Sequence, residues 1–419
     1  MKRTPLFERH TSDGASMKEF RGWDMPLWYP SGAVAEHRAV IAHAGLFDTS
    51  HMSVVEIKGP GAFNLLQKCF TRDLRACVGG RKDPLIPGRS AFGAYLNEAG
   101  WVVDDTVVYQ IDSQVYVSIV NAGMGETIAS HLIGHADGEQ VEVTDLTGRV
   151  GKIDLQGPAS AKILMKVLDN PLQVLQDMEY FAFKGHFAGE EPYARTFLTD
   201  GTPILLSRTG YTGEFGFEML ASPDRLPGVW HMLLELGRDL GLVPCGLAAR
   251  DSLRAGAVLP LSQQDIGPWP FVNHPWPYAL PYNADKSAFT KTFVGDDALK
   301  NSENAEFTYA MVGFDPRKVS IHDPARVMDE EGREIGLVLT CVADMAIGLH
   351  GGRIYGMTGP DRPRDFTPKG LMCGFVKVKI PLAPGRTVEL RDEKRSIKAV
   401  IVEDVRPNRT ARLPMSEML

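Results

Sequence analysis

Gly100-Trp101-Val102-Val103-Asp104-Asp105-Thr106-Val107-Val108-Tyr109 is the stretch from which the fold is read. Val, Trp, Thr and Tyr suit a pleated, half-buried surface, so these residues predict a strand. Two acids interrupt it. Side chains alternate along a strand, which sends Asp104 to the face of Val102, Thr106 and Val108. Asp105 then shares the other face with Val103, Val107 and Tyr109. An ionised carboxylate among valines is expensive unless something pairs with it or uses it. At least one of the two is therefore expected to have a partner, a ligand or access to a cavity. The plainer alternative is a structural Asp accepting backbone N–H bonds, because structural networks also hold buried acids.

Outward from this strand, residues 90–96, 101–109 and 115–120 read as three strands. The first two are joined by the hairpin-type turn Asn97-Glu98-Ala99-Gly100. With a strand at 53–57 and helices at 60–69 and 124–132, residues 55–144 predict a compact α+β unit. A strand, a Gly-Pro step (Gly59-Pro60) and a helix recur at 151–167 around Gly157-Pro158, which suggests an internal duplication. Upstream, 4–10 begins a helix with Pro5 at its start, and Gly22-Trp23-Asp24-Met25-Pro26 reads as a turn. Residues 32–44 return to helical spacing, with Val34, His37, Val40 and Ile41 on one face. His51 has no metal-spaced partner and reads as a core histidine.

Downstream, strands are expected at 203–207 and 215–220, the second carrying Glu218. A Gly-bounded turn, Arg208 to Glu214, lies between them, and helices follow at 225–240 and 246–256. Residues 260–293, with Pro268-Trp269-Pro270 and His274-Pro275-Trp276-Pro277, lose all periodicity. Exposing so many aromatic rings is costly, so an ordered loop wrapping a site is favoured over a linker. From about 308 onward, short apolar runs alternate with turns, as in a small sandwich or barrel, and 349–370 reads as a loop inserted in it.

The chain has 419 residues, too many for one typical core, so two or three domains are expected. Lys+Arg is 45 against 52 Asp+Glu, and a net charge of −7 argues against a general nucleic-acid or anionic-membrane binder. Five widely spaced cysteines without a CxxC fit a reducing compartment rather than a disulfide framework. No apolar leader follows Met1-Lys2-Arg3-Thr4-Pro5, and no run is long enough to span a bilayer. A soluble cytoplasmic protein is expected.

Walker A, GxGxxG, HExxH and GxSxG motifs are missing. What stands out is Asp105 beside Tyr109, a second strand-borne acid at Glu218, and Arg250-Asp251 with Arg254 on a helix. A carboxylate presents two acceptors in one plane and matches adjacent N–H donors on a heterocycle such as a pterin. An arginine grips a carboxylate bidentately. These residues alone point to a pocket for a planar, N–H-rich ligand.

Ala44-Gly45-Leu46-Phe47-Asp48-Thr49-Ser50-His51-Met52, Val103 to Tyr109, Val120-Asn121-Ala122 and Leu155-Gln156-Gly157-Pro158 carry a family resemblance. So do Ser207 to Glu214 and Gly246-Leu247-Ala248-Ala249-Arg250-Asp251-Ser252-Leu253-Arg254. In order and over some 250 residues, the sequence resembles the glycine cleavage system T protein, the aminomethyltransferase. The wider folate-binding family includes demethylases.

The resemblance implies an α+β fold of three domains around a central opening that holds tetrahydrofolate, the last domain all-β and barrel-like. The expected divisions are 1–54 plus 145–260, then 55–144 carrying Asp104-Asp105, a connecting aromatic and Pro-rich loop at 261–307, and 308–419. By motif, Asp105 matches the catalytic aspartate. Glu218 matches the pterin-binding glutamate, and Arg250 a folate-contacting arginine. Met52, Tyr109 and Asn121 match pocket positions, with Phe92 and Tyr211 completing the set. The family reaction takes an aminomethyl group from a lipoylated carrier protein, releases ammonia and forms 5,10-methylenetetrahydrofolate; no metal is needed.

The chain departs from the family pattern in several places, among them Ser262-Gln263-Gln264-Asp265-Ile266 in place of a Tyr-Gly-Gln-Asp/Glu-Met segment and an insert near 351–368. Gly256 stands where a Glu is expected, and Phe92 where a Tyr is usual. The aromatic loop is atypical, and Thr340-Cys341-Val342-Ala343-Asp344 replaces a Thr-Ser-Gly-x-Phe-Ser-Pro run. These changes gather on the donor side. The alternative is therefore a tetrahydrofolate-dependent methyltransferase or demethylase taking a methyl group from a small N-, O- or S-methyl donor. A third reading is a folate-binding protein without transferase activity.

Overall fold

The computed structural model describes residues 1–188, 195–302, 305–321, 323 and 325–419. Three β systems carry the architecture. A five-stranded sheet runs Arg89–Leu96, Val102–Asp112, Val115–Val120, Ser53–Lys58, Glu142–Asp145. A six-stranded sheet runs Phe183–Gly185, Leu205–Ser207, Gly216–Ala221, Gly151–Gln156, Ala44–Asp48, Leu242–Cys245. Six strands between Phe307–Gly313 and Ser396–Val402 close into a barrel. Closure removes the free edges that short strands would otherwise expose. Mixed helix and sheet with a C-terminal barrel is the α+β architecture that the sequence implied.

The recurring strand, Gly-Pro and helix units are built alike. Ser53–Lys58 leads through Gly59 to helix Ala62–Cys69, and Gly151–Gln156 leads through Gly157 to helix Ser160–Val167. Gly59 and Gly157 have φ of 130° and 122°, and a Cβ at either would run into backbone carbonyl oxygens. That close approach requires glycine at both turns. The tops of the two sheets meet through an apolar layer of Val54, Tyr109, Val117, Ile119, Phe183, Leu205 and Leu220. Both acid-bearing strands are therefore held in rigid sheets.

Two expectations are corrected. Gly22 to Pro26 is not a turn: Ser16–Phe20 and Trp23–Trp28 form a hairpin closed by Arg21 and Gly22, both at positive φ. Two positive-φ residues make the tight turn whose twist suits paired strands. The segment 349–370 is not all loop, because Ile347–His350 pairs with Arg353–Gly356 across Gly351-Gly352. In both cases an alternating strand was hidden beneath turn-forming residues.

Residues 261–300 form an ordered strap. Phe271, Val272, Trp276, Leu280 and Phe293 are buried in a cluster shared with barrel residues Ala310, Val312 and Phe375. At the other edge, Val102 N–H donates to Gly267 O at 3.2 Å and Phe271 N–H to Gly100 O at 2.9 Å. The strap thus joins the acid-bearing strand to the barrel. No described helix is long and apolar enough to cross a membrane, and all five cysteines are free and buried.

Candidate active site

Asp104 and Asp105 occupy the middle of strand Val102–Asp112. The alternation holds: Val102, Asp104, Thr106 and Val108 are buried, whereas Val103, Asp105 and Val107 are half-buried. What alternation does not foresee is that both carboxylates reach one amide. Asn121 Nδ2 donates to Asp104 Oδ1 and to Asp105 Oδ1, each at 2.8 Å. Its backbone N–H donates to Asp104 Oδ2 at 2.8 Å, and Ser262 Oγ donates to Asp104 Oδ1 at 2.8 Å. Both oxygens of Asp104 are occupied. Asp105 Oδ2 accepts no hydrogen bond among the described residues, and neither acid has a cation within ion-pair reach there. Burial first, then the neighbouring Asp104, pushes the Asp105 carboxyl up to about 7, against the polar groups of Asn121 and Ser262.

A second pair of acids lies on the six-stranded sheet. Asp154 and Glu218 face each other directly across adjacent strands, a like-charge arrangement that repels when bare. Lys152, two residues before Asp154 and so on its face, resolves this. Its Nζ donates to Asp154 Oδ1 and to Glu218 Oε1, each at 2.5 Å. Arg250 NH1 donates to Asp154 Oδ2 at 2.7 Å, and Thr209 Oγ1 to Glu218 Oε2 at 2.5 Å. Burial would raise the Asp154 carboxyl, but Lys152 and Arg250 overcome it and hold it below the usual carboxylate range.

The remaining expected residues gather around these two pairs. Tyr109, buried on the acid-bearing strand, donates from its hydroxyl to Glu218 Oε2 at 3.3 Å and so links the sheets. Met52 packs in the same apolar layer as Tyr109. The Arg250 guanidinium lies 4.9 Å above the centre of the Tyr211 ring. Burial raises the Tyr211 hydroxyl, opposed by Arg254 and Arg250 and reinforced by Asp105 and Asp265, so Asp105 and Arg250 both act on one ring. Phe92 sits 6.1 Å from Tyr278 of the strap. Tyr278 itself is 45% exposed, so the Phe92–Tyr278 contact lies at the surface.

Four participants escaped the sequence reading: Lys152, Asp154, Ser262 and Tyr278. Gly151-Lys152-Ile153-Asp154-Leu155 did carry a signal, a Lys and an Asp two apart on one face of an apolar strand. Ser262 and Tyr278 belong to the aperiodic strap and had none. His51 is buried with its ring pushed down to about 4 by burial, hence neutral, as befits a core histidine.

The family described as "GCVT N-terminal domain" matches residues 6–269. The chain belongs to this family. It is 34% identical over 407 residues to an aminomethyltransferase of Geobacillus thermodenitrificans, covering 96% of this chain and 97% of that one. An aminomethyltransferase of Desulfitobacterium hafniense is 34% identical over 359 residues, covering 83% and 90%. The crystal structure of glycine cleavage system aminomethyltransferase T from Bartonella henselae superposes with a TM-score of 0.73 at 25% identity, covering 100% of this chain and 98% of that one.

Two departures from the GCVT pattern meet in space. A Cβ at Gly256 would collide with the Asp344 carboxylate and crowd Arg406. Asp344 pairs with Arg406 NH1 at 2.6 Å and with His37 Nε2 at 2.8 Å. The buried Arg406 is thus neutralised by Asp344 together with Glu214, whose Oε1 lies 3.1 Å from Arg406 Nε.

Proposed function

We propose that this protein is a tetrahydrofolate-dependent aminomethyltransferase of the glycine cleavage type. It releases ammonia from an aminomethyl-lipoyl carrier protein and forms 5,10-methylenetetrahydrofolate. The observation that carries this reading is Asp105: a carboxylate with a free oxygen, held by Asn121 at the opening and left without a cation. The whole-length aminomethyltransferase relatives point the same way, and the methyltransferase or demethylase alternative is not favoured.

The residues present fit tetrahydrofolate. When bound, it supplies the nitrogen nucleophiles that accept the one-carbon unit. Glu218, fixed by Lys152 and Thr209, keeps acceptor capacity for a pterin N–H edge. Arg250 spends one N–H on Asp154 and keeps the rest of its fork for a carbonyl or carboxylate. Asp105, once ionised, places negative charge where positive charge develops on the migrating carbon, without reorganisation at the moment of reaction. Asn121 restricts its rotamer, and Asp104 raises its proton affinity, so it ionises near neutral pH and can hold or release a proton there. A cytoplasmic setting, where five buried thiols stay reduced, accompanies this reading.

The test mixes purified protein, tetrahydrofolate and an aminomethylated lipoyl carrier, and reads ammonia and the folate product together. Stoichiometric ammonia and methylenetetrahydrofolate, lost in Asp105→Asn, is the expected result. Bound folate with no ammonia, and 5-methyltetrahydrofolate formed from methylated amines, sulfonium compounds or methoxy-aromatics, would overturn it in favour of the alternative.

A further inference from the structure

On the far side of the five-stranded sheet, three metal-ligating side chains converge that the transferase chemistry does not use. Cys69 ends helix Ala62–Cys69 and is fully buried. His131 and His135 lie four apart at the end of helix Gly125–Gly134, a spacing that puts both rings on one face. The Cys69 Sγ and one nitrogen of each ring all lie within 4.8 Å of one another.

Two further observations point to a ligand. His131 Nε2 is buried with no hydrogen-bond partner, and burial keeps that ring neutral by pushing it down to about 4. His135 Nδ1 lies 2.8 Å from the His131 carbonyl oxygen, which can only accept, so Nδ1 carries a proton. His135 Nε2 lies 3.2 Å from Glu98 Oε1, and an ionised carboxylate also only accepts. A cation between Cys69 Sγ and the two rings gives the orphaned His131 Nε2 a partner, with Glu98 beside His135 Nε2 as the fourth donor in reach. The carbonyl bond at Nδ1 then does what such bonds do in metal sites, fixing the tautomer and turning the lone pair toward the ion.

We propose that Cys69, His131, His135 and Glu98 form a structural site for one zinc-type divalent ion. A sulfur, two imidazoles and a carboxylate are a borderline-soft, tetrahedral donor set with no open position, which marks a structural rather than a catalytic centre. Zinc bonds of about 2.0–2.3 Å place tetrahedral donors about 3.3–3.8 Å apart, so the three clustered donors close by up to roughly 1 Å on loading and Glu98 swings in to complete the set. Glu98 and His135 supply that movement, because Glu98 is 81% and His135 22% exposed while Cys69 is fixed. That side is also the entry path. On binding, the Cys69 S–H bond breaks, a sulfur–metal bond forms and the proton leaves to solvent. Burial raises the Cys69 thiol, opposed by Lys68 and Lys291, so the proton leaves only as the sulfur–metal bond forms. Loaded, the ion ties two helices to the Asn97–Gly100 turn that opens the strand carrying Asp105.

The test uses the full-length protein, stripped with a chelator and titrated with Co(II) and with Zn(II) alone. One ion per chain is expected, with a thiolate-to-cobalt charge-transfer band, the intense visible bands of tetrahedral cobalt, and a higher Tm with Zn(II). His135→Gln, at the exposed rim, is expected to fold normally and to weaken binding beyond the about 10–100-fold cost of losing an outer-sphere partner. Cys69→Ser should lose the charge-transfer band. Folded wild-type protein without that band, or binding unchanged in His135→Gln, would overturn the proposal whatever the state of the Cys69 variant.

Discussion

The two acid pairs of the opening are built from similar strands and treated in opposite ways. Asp154 and Glu218 face each other across a ladder, and Lys152 with Arg250 neutralises them. Asp104 and Asp105 are neighbours on one strand, and among the described residues the neutral donors of Asn121 and Ser262 alone serve them. The first pair is a clamp whose charges are settled by folding. The second leaves one carboxylate near its titration point, with an oxygen free. A protein that wanted only stability would have no use for the second arrangement, since an unpaired buried acid is a liability.

The largest effect should come from breaking the settled pair. Lys152→Met leaves Glu218 without a cation and Asp154 with Arg250 alone, and is expected to destabilise the protein by about 3–5 kcal/mol, read by urea unfolding. Equal stability in that variant would show that the clamp is not closed as described. Asp105→Asn should do the reverse: kcat falls by about 10²–10³-fold while folding and folate affinity are retained. It should also change the pH dependence of stability. The folded carboxyl titrates near 7 and an unfolded one near about 4. Between those values the folded state holds more protons, so wild-type stability falls as pH rises through this window and the penalty is complete above 7. Asp105→Asn lacks the penalty, so its Tm advantage should be greatest at pH 8 and vanish toward pH 4.

Asn121→Ala tests whether the neutral donor matters. It is expected to lower kcat by about tenfold, since a lost partner for a charged group is worth roughly 1.5–3 kcal/mol. The acid limb of the pH profile should move to higher pH, because the lost hydrogen bond favoured the ionised form. An unmoved profile would remove Asn121 from the reactive pair. The smallest change is Phe92→Tyr, which restores the hydroxyl usual in the family. With Phe92 against Tyr278 at the rim, kcat/KM should stay within about twofold, the range of a 0.5 kcal/mol surface substitution.

Asp105, Glu218 and Arg250 were legible because strand alternation and spacing carry chemistry that local sequence cannot hide. Lys152 and Asp154 had a readable pattern, while Ser262 and Tyr278 did not. They lie in a strap without periodicity, held by packing of Phe271 and Trp276 against the barrel residue Phe375. The packing of Gly256 against the Asp344–Arg406 pair was equally invisible, because it joins residues far apart in the chain. So was the triad of Cys69, His131 and His135, whose members lie on two helices.

By itself, the sequence determined the strands, the two acids, the Gly-Pro turns and the family, because period-2 patterning, charge burial and steric limits at glycine are local. Only the tertiary structure decided how each acid is partnered. That depends on which sheet brings a cation within reach and which brings an amide, a long-range matter of packing that no short stretch encodes.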